Sequence, residues 1–133
     1  MSQLMALDAT LDPLALLRPT AGLRVLVTGG TSGIGLAITE VLEAAGARVH
    51  VCGTDPERLA AHVQAKPGRT GTRCDVSSEA DVASLLTEVE DALGGLDVLV
   101  NNAGIAGPTG PVEQVDLGAW TRTLEVDLTG AFL

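Results

Sequence analysis

The chain has 133 residues, of which 46% are hydrophobic, 19% are charged and only 2% are aromatic, and it contains 16 glycines but no tyrosine. This composition excludes a disordered chain, and no apolar run reaches the roughly 20 residues that a membrane helix needs. The net charge of −9 argues against binding nucleic acid through a basic face. We therefore expect one soluble domain, with no membrane or nucleic-acid partner, whose core is built from aliphatic side chains.

The two cysteines, Cys52 and Cys74, lack the spacing of a metal site. Each of them closes a short apolar run typical of a strand, so we predict buried free thiols and no metal. Free thiols fit the reducing cytosol, and we expect a cytoplasmic protein.

The N-terminal segment is rich in leucine but carries no basic stretch, and Asp8 and Asp12 interrupt it. A signal peptide is therefore not expected. We interpret residues 1–21 as an arm that precedes the fold, and residues 22–133 as the folded unit.

Strand and helix signals alternate from residue 24 onward. Arg24–Thr28 is a short apolar run that predicts the first strand. Apolar residues then recur at helical spacing until Gly46, namely Ile34, Ile38, Val41, Leu42 and Ala45. Ala47–Cys52 predicts the second strand. Thr54–Glu57 combines a Thr or Asp cap, an early proline and a glutamate, which predicts the start of the second helix.

The second half of the chain continues this alternation. Gly68–Cys74 predicts a weaker third strand, and Leu96–Val100 predicts the fourth. Between them, Ser77, Ser78 and Asp81 are typical of a helix start. The apolar stripe predicted for that helix is Val82, Leu85, Leu86, Val89 and Leu93. A last helix is predicted from about Asp116, with one face made of Leu117, Trp120, Leu124, Leu128 and Ala131.

The order βαβαβαβα with short connections indicates right-handed crossovers. It predicts an α/β fold in which a parallel sheet carries helices on both faces. Ligands of such sheets bind at the carboxyl ends of the strands. Three motifs of this chain follow the ends of predicted strands.

The first of these motifs, Thr28–Gly35 (TGGTSGIG), lies between the first strand and the first helix. Glycine adopts the positive φ that a tight turn needs, and missing side chains let a pyrophosphate approach the backbone. The helix N-terminus adds N–H groups and partial positive charge, and Thr31 and Ser32 add hydroxyls. The spacing GxxxGxG differs from the commoner GxGxxG, and a tight turn alone would also use glycine. In this strand–turn–helix context we predict nucleotide binding.

Four segments together resemble the N-terminal half of the short-chain dehydrogenase/reductase family. They are TGGTSGIG at 28–35, CDV at 74–76, NNAG at 101–104 and LTGAFL at 128–133, and the resemblance extends over residues 22–133. It implies a Rossmann-like doubly wound parallel sheet, incomplete here with about four strands. It also implies hydride transfer between a nicotinamide cofactor and an alcohol or carbonyl carbon, without a metal.

The resemblance assigns cofactor binding to Gly29, Thr31, Ser32, Gly33, Ile34, Gly35, Thr54, Asp75, Val76, Asn102, Ala103 and Gly104. In this family Asp75 would accept a hydrogen bond from the adenine amino group, and Val76 would supply backbone contacts. Alternatively, Asp75 only begins a helix by bonding nearby N–H groups. Asn102 can tie neighbouring strands together as well as lie beside the cofactor, and in this family both uses coexist.

The residues leave the choice between NAD and NADP open. The resemblance implies an Asp at the position of Gly53 for NAD, or a basic residue at the position of Thr54 or Ser32 for NADP, and this chain has neither. Asp55 lies 20 residues after Gly35, close to the generic acidic spacing, but a proline follows it. A helix cap is an equally good interpretation of Asp55. Thr54 could donate to a phosphate or to a hydroxyl.

The resemblance implies a catalytic Tyr, Lys, Ser and Asn, of which the Tyr and Lys would lie four residues apart on a helix after a fifth strand. The chain has no tyrosine, and its only lysine, Lys66, lies in a loop that looks exposed. Asp127 occupies the position of the family's Asn, and an ionised carboxylate accepts hydrogen bonds but does not donate them. Asp127 is therefore either a member of the proton relay or a substituted helix residue. We expect no catalysis by these residues alone.

Three functional hypotheses follow. The chain is the cofactor half of an NAD(P)-dependent short-chain dehydrogenase, a non-catalytic nucleotide-binding or interaction module, or a half-enzyme completed by a second chain. A small alcohol or carbonyl substrate is expected only if the C-terminal half is present. The free edge of the fourth strand and exposed Trp120, Leu124 and Leu128 predict a homo-oligomer or a complementing chain.

Overall fold

The computed structural model describes residues 19–133. The predicted arm at residues 1–21 lies outside the described residues except for its last three positions. The elements of the sheet layer are β1 (Arg24–Thr28), α1 (Gly33–Ala44), β2 (Arg48–Gly53), α2 (Pro56–Ala65), β3 (Thr70–Arg73), α3 (Glu79–Leu93) and β4 (Val98–Val100). A long loop with a 3₁₀ turn then leads to α4 (Leu117–Leu124), a π-helical turn (Glu125–Thr129) and α5 (Gly130–Phe132), which follow one another without a break.

The four strands form one parallel sheet in the order β3–β2–β1–β4. Val25 of β1 lies opposite Val49 of β2 and Val98 of β4. The first apolar residues of these three strands are therefore aligned with one another. The chain order reverses between β1 and β4, and in open α/β sheets the ligand crevice forms at such a reversal. The structure thus confirms the predicted Rossmann-like parallel sheet of four strands.

Helices cover both faces of the sheet because successive side chains of a strand point to opposite sides. Val25 and Val27 pack on one face with Leu42 of α1 and Leu59 of α2. Leu26 points to the other face. Its cluster contains Cys52, Cys74, Val76, Leu85, Val89, Leu93 and Val126. The two cysteines are buried and free, as predicted.

The buried face of α1 differs from the predicted apolar stripe. Ile34 and Val41 are exposed, and the fully buried positions of the helix are Gly35 and Thr39. A Cβ atom at Gly35 would collide with the carbonyl oxygen of Gly29. The helix therefore approaches the turn at Gly35, which has no side chain. The predicted stripe is wrong for Ile34 and Val41, because apolar periodicity cannot detect such close packing.

Two further differences concern α3 and the C-terminal helices. Leu86 is exposed although it was predicted in the stripe, because its neighbour Leu85 faces the sheet and adjacent helix positions point about 100° apart. Val126 in the π-helical turn is the buried residue of the C-terminal helices, and the apolar face predicted there is largely exposed. The third and fourth strands also begin two residues later than predicted, at Thr70 and Val98.

None of the helices among residues 19–133 has both the length and the apolar character that crossing a bilayer requires.

Candidate functional site

A cavity of about 430 Å³ opens at the carboxyl ends of the strands. Its volume lies within the range of about 300–1,000 Å³ that is common for small-molecule sites. Ten of the twelve predicted cofactor residues line it, namely Gly29, Ser32, Ile34, Gly35, Thr54, Asp75, Val76, Asn102, Ala103 and Gly104. The ends of all four strands, which are far apart in the sequence, thus meet around one cavity.

The glycine-rich turn forms one wall of the cavity. Gly29 and Gly33 have φ angles of +64° and +52°, the left-handed region that glycine enters without strain. A Cβ atom at Gly33 would meet nothing within 4 Å, so the backbone at the start of α1 faces open space. Ser32 is the N-cap residue of α1, yet its side chain makes no capping hydrogen bond. The first N–H groups of the helix are thus oriented as an anion site requires.

The two predicted residues outside the cavity lining belong to the same turn. Gly33 is the first residue of α1. Thr31 packs against the end of β2, since a Cβ atom at Gly53 would lie 3.3 Å from Thr31 Oγ1. Thr31 therefore supports the turn from behind.

A small hydrogen-bond network joins the glycine-rich turn to the end of β4. Thr28 Oγ1 accepts hydrogen bonds from the backbone N–H groups of Asn102 and Ala103, both at 3.0 Å. The side-chain amide of Asn102 donates to the carbonyls of Thr28 at 2.9 Å and Gly29 at 3.2 Å. Asn102 thus ties the two strands together, one of the two uses predicted for it. The role of the Thr28 hydroxyl as an acceptor in this network was not predicted. A threonine at the end of a buried strand would have indicated such a role.

Asp75 lies in the wall of the cavity and makes the helix-start contacts that were the alternative interpretation of this residue. Its carboxylate borders the cavity, and Oδ1 also accepts from the backbone N–H of Ser77 at 3.0 Å and from Ser77 Oγ at 2.7 Å. Arg122 of α4 donates to Oδ2 at 2.6 Å. Hydrogen bonds from Ser77, followed by the Arg122 guanidinium, hold the pKa of Asp75 below its usual range. The carboxylate is therefore ionised at neutral pH.

Asp127 lies outside this cavity, in the π-helical turn behind Gly104. Its Oδ1 accepts a hydrogen bond from the backbone N–H of Ile105 at 2.8 Å. A Cβ atom at Gly104 would lie 3.4 Å from the same oxygen. The carboxylate thus holds the start of the loop that follows β4, a contact that needs an acceptor and no donor.

Asp55 acts as the cap of α2, which was one of its two interpretations. Its Oδ1 accepts from the backbone N–H groups of Glu57 at 3.0 Å and Arg58 at 3.1 Å. Its Oδ2 lies 3.2 Å from Arg58 Nε. Both carboxylate oxygens are therefore engaged by the first turn of the helix.

Sequence reasoning did not predict seven residues of the cavity wall, which are Cys52, Gly53, Arg58, Cys74, Ile105, Arg122 and Val126. Arg58 and Arg122 are the basic side chains among them. Arg58 had a usable signal, because the first turn of a helix after a parallel strand lies at the ligand edge of the sheet. Arg122 had none, because α4 follows a long loop and only the tertiary structure brings it to Asp75.

No cluster of three or more His, Cys, Asp or Glu residues suited to a metal ion occurs in the part of the chain that the structure describes.

A family model described as short chain dehydrogenase matches residues 23–133. The chain belongs to the short-chain dehydrogenase/reductase family. Nicotinamide dinucleotide, as NAD or NADP, is the cofactor that this membership supports. The residues fit such a group, because the backbone at Gly33 faces open space and Ser32, whose side chain makes no capping hydrogen bond, lines a cavity of suitable volume.

Individual relatives of this short-chain dehydrogenase chain catalyse varied reactions. It is 40% identical over 114 residues to a 2,5-dichloro-2,5-cyclohexadiene-1,4-diol dehydrogenase of Sphingobium indicum, which covers 85% of this chain and 46% of the relative. It is 40% identical over 129 residues to the granaticin polyketide synthase putative ketoacyl reductase 1 of Streptomyces violaceoruber, which covers 94% and 46%.

A solved structure of an actinorhodin polyketide ketoreductase variant with NADPH is also similar. The TM-score is 0.78 at 37% sequence identity, covering 86% of this short-chain dehydrogenase chain and 46% of the other. The chain thus spans about half the length of the curated relatives it matches.

Proposed function

We propose that the chain is the cofactor-binding part of an NAD(P)-dependent oxidoreductase that transfers hydride between nicotinamide and an alcohol or carbonyl carbon. The observation that carries this proposal is the cavity at the strand ends, where the glycine-rich turn faces Asp75 on one side and Asn102 on the other. The NADPH present in the similar ketoreductase structure supports a dinucleotide as its occupant.

Each wall of the cavity suits one part of a dinucleotide. The turn at the start of α1 offers N–H groups and the Ser32 hydroxyl to the pyrophosphate. Asp75 offers acceptor positions to the adenine amino group, because each carboxylate oxygen has more than one lone pair. The small residues Ala103 and Gly104 let the backbone lie beside the ribose and the nicotinamide ring. The ring, when bound, supplies or accepts the hydride.

The proton donor of the reaction must come from elsewhere. The 133 residues contain no tyrosine, and the single lysine, Lys66, lies 3.5 Å from Glu43 Oε2 outside the cavity lining. The carboxylate of Asp127 is engaged by the N–H of Ile105, which supports a positioning role rather than proton donation. We infer that the remaining catalytic groups, and with them the alcohol or carbonyl substrate, belong to a further part of a longer protein or to a second chain. These residues alone are expected to be inactive.

The exposed apolar surface supports a protein partner. Leu117, Leu124, Leu128 and Phe132 of the C-terminal helices are exposed, and β4 pairs with only one strand in the described part of the chain. The expected partner is a second copy or a complementing chain in the cytoplasm. A monodisperse monomer in light scattering at micromolar concentration would contradict this expectation. A stand-alone nucleotide-binding module is the second candidate function, and the same apolar surface would then serve a non-catalytic interaction.

The cofactor proposal can be tested by titrating NADH and NADPH into the chain while following the fluorescence of Trp120 and of the reduced nicotinamide. Saturable binding of at least one of them is expected. A folded chain, shown by circular dichroism, that binds neither would overturn the proposal.

A matched pair of variants at Gly33 tests where the phosphates lie. Asn and Asp tolerate the left-handed backbone of this position best, and a side chain there meets open space. Gly33→Asp places a negative charge at the helix N-terminus, whereas Gly33→Asn has the same shape without the charge. We expect the Asp variant to bind the dinucleotide at least about tenfold more weakly than the Asn variant. Equal affinities would show that the pyrophosphate does not lie at this turn.

A further inference from the structure

The two arginines of the cavity wall lie in different surroundings. The Arg122 guanidinium is occupied by Asp75 and Ser77. Arg58 lies beside the glycine-rich turn instead, with Nη1 at 3.4 Å from Ser32 Oγ and Nε at 3.2 Å from Asp55 Oδ2. Its side chain is 62% exposed. Arg58 thus presents a held but accessible cation at the cavity.

Arg58 lies in the first turn of α2, which follows the end of β2. In a dinucleotide fold, this strand end faces the adenosine ribose, where an acidic side chain binds a 2′-hydroxyl or an arginine binds a 2′-phosphate. Gly53 has no side chain to offer there. Asp55 has both oxygens engaged by the cap and by Arg58. The end of β2 therefore presents a guanidinium and no free carboxylate.

We propose that Arg58 binds the 2′-phosphate of NADP, so that this chain prefers NADP to NAD; the inference rests on the proposed dinucleotide site. A guanidinium has five N–H donors, and the contacts to Ser32 and Asp55 use two of its nitrogens. The remaining N–H groups can bind a phosphate through two oxygens at once. Ser32 Oγ lies close enough to donate to the same phosphate.

The charge of the whole protein makes this local cation decisive. The net charge of −9 disfavours a ligand that carries an additional phosphate. A preference for NADP must therefore come from a nearby positive group. Asp55 offsets part of this positive charge, but it contacts Nε and Ser32 contacts Nη1, so Nη2 makes no hydrogen bond among the described residues.

Calorimetric titrations with NADPH and NADH test the proposal, and 2′,5′-ADP and 5′-AMP repeat the comparison with ligands that differ only by the 2′-phosphate. Wild-type protein is expected to bind NADPH at least about tenfold more tightly than NADH, as a charge-assisted hydrogen bond to phosphate implies. Arg58→Gln should reduce the ratio of NADPH to NADH affinity to about one, whereas Arg58→Lys should retain part of the preference. The preference should also decrease at high salt.

Arg73→Gln is the matched control. Arg73 ends the neighbouring strand, and its Nε donates to the carbonyl of Thr54 at 3.3 Å, but its side chain is not part of the cavity wall. The same loss of charge at this position should leave the NADPH preference in place. Circular dichroism and urea midpoints confirm that each variant is folded.

The possible outcomes separate the two proposals. Equal affinity of the wild type for NADPH and NADH, or tighter binding of NADH, overturns the role of Arg58 while the dinucleotide site stands. The role of Arg58 is also overturned if Arg73→Gln abolishes the preference for NADPH while Arg58→Gln retains it. Absence of binding of either dinucleotide by the folded chain overturns both proposals together.

Discussion

Strands β1 and β4 carry the same tripeptide, Val-Leu-Val, at residues 25–27 and 98–100, and they pair in register so that Leu26 lies opposite Leu99. Leu26 is 2% exposed, whereas Leu99 is 49% exposed. The reason is position, since β1 lies between two strands, while β4 has one strand neighbour among the described residues. Identical local sequence thus yields a core strand in one place and a half-covered edge in the other.

The largest expected effect tests this difference directly. Leu26→Ala removes a fully buried side chain from the cluster beneath α3 and should lower the free energy of unfolding by about 2–5 kcal/mol. Leu99→Ala deletes the same atoms from a half-exposed position and should cost less than about 1.5 kcal/mol. Urea unfolding of both variants provides the measurement. Similar losses would mean that the edge of β4 is covered in solution.

The next effect concerns the carboxyl ends of the same two strands. Thr28→Val removes the hydroxyl that accepts from the N–H groups of Asn102 and Ala103, which should cost about 1–3 kcal/mol. Hydrogen exchange at these two amides should accelerate as well. Thr87→Val is the control, because Thr87 bonds only its own helix at the exposed carbonyl of Ala83, and it should change stability by less than about 0.5 kcal/mol. Unchanged exchange in the Thr28 variant would show that the two strand ends are held by other contacts.

A smaller effect is expected at the amino ends, where Arg24 and Asp97 form a bidentate pair with distances of 2.6 Å and 2.9 Å. Hydrogen bonds from the Arg24 side chain and then from its backbone N–H lower the pKa of Asp97 to about 2. A carboxyl with a lowered pKa stabilises the fold above its unfolded pKa of about 3.9, and this contribution disappears as the pH falls toward 2. The stability difference between wild type and Asp97→Asn should therefore shrink between about pH 4 and pH 2.

Unfolding curves at several pH values, at low salt, measure this difference. The pair is exposed and screened by salt, so the effect should be smaller than that of Thr28→Val. If the stability difference between wild type and Asp97→Asn stays constant across the acidic range, the ionised carboxylate of Asp97 does not stabilise the β1–β4 junction.

The smallest expected signal concerns the two buried thiols on the other side of β1, at β2 and β3. Cys52 lies in β2 and Cys74 directly follows β3, and both are buried. Burial raises the pKa of both thiols, that of Cys74 to about 12, so the reactive thiolate is scarce at pH 8. A chromogenic disulfide reagent should label neither thiol in the native protein and both in denaturant. Rapid labelling of the native chain would indicate that the sheet opens readily at β2 and β3.

The elements and most of the site could be predicted because their signals are local. Three of the four strands contain a short apolar run, β3 (Thr70–Arg73) being the polar exception. The predicted site residues follow strand ends, where a parallel sheet gathers its ligand contacts. Asn102 and Asp75 were therefore placed at the same cavity without knowledge of their contacts. The predictions failed where close packing between two elements, or a contact with a residue distant in the sequence, determines which side chain lies at the site. Gly35, not Ile34, faces the turn, and Arg122 reaches Asp75 from 47 residues away.

By itself the sequence determined the strand–helix alternation, the parallel sheet and the chemistry of the glycine-rich turn, because periodicity and glycine conformation act over a few residues. Only the tertiary structure decided which of two identical Val-Leu-Val strands is buried and which arginine remains accessible at the cavity. Burial depends on neighbours that are distant in the chain, and the availability of a guanidinium depends on which carboxylates surround it. Leu99 and Arg58 owe their properties to those neighbours.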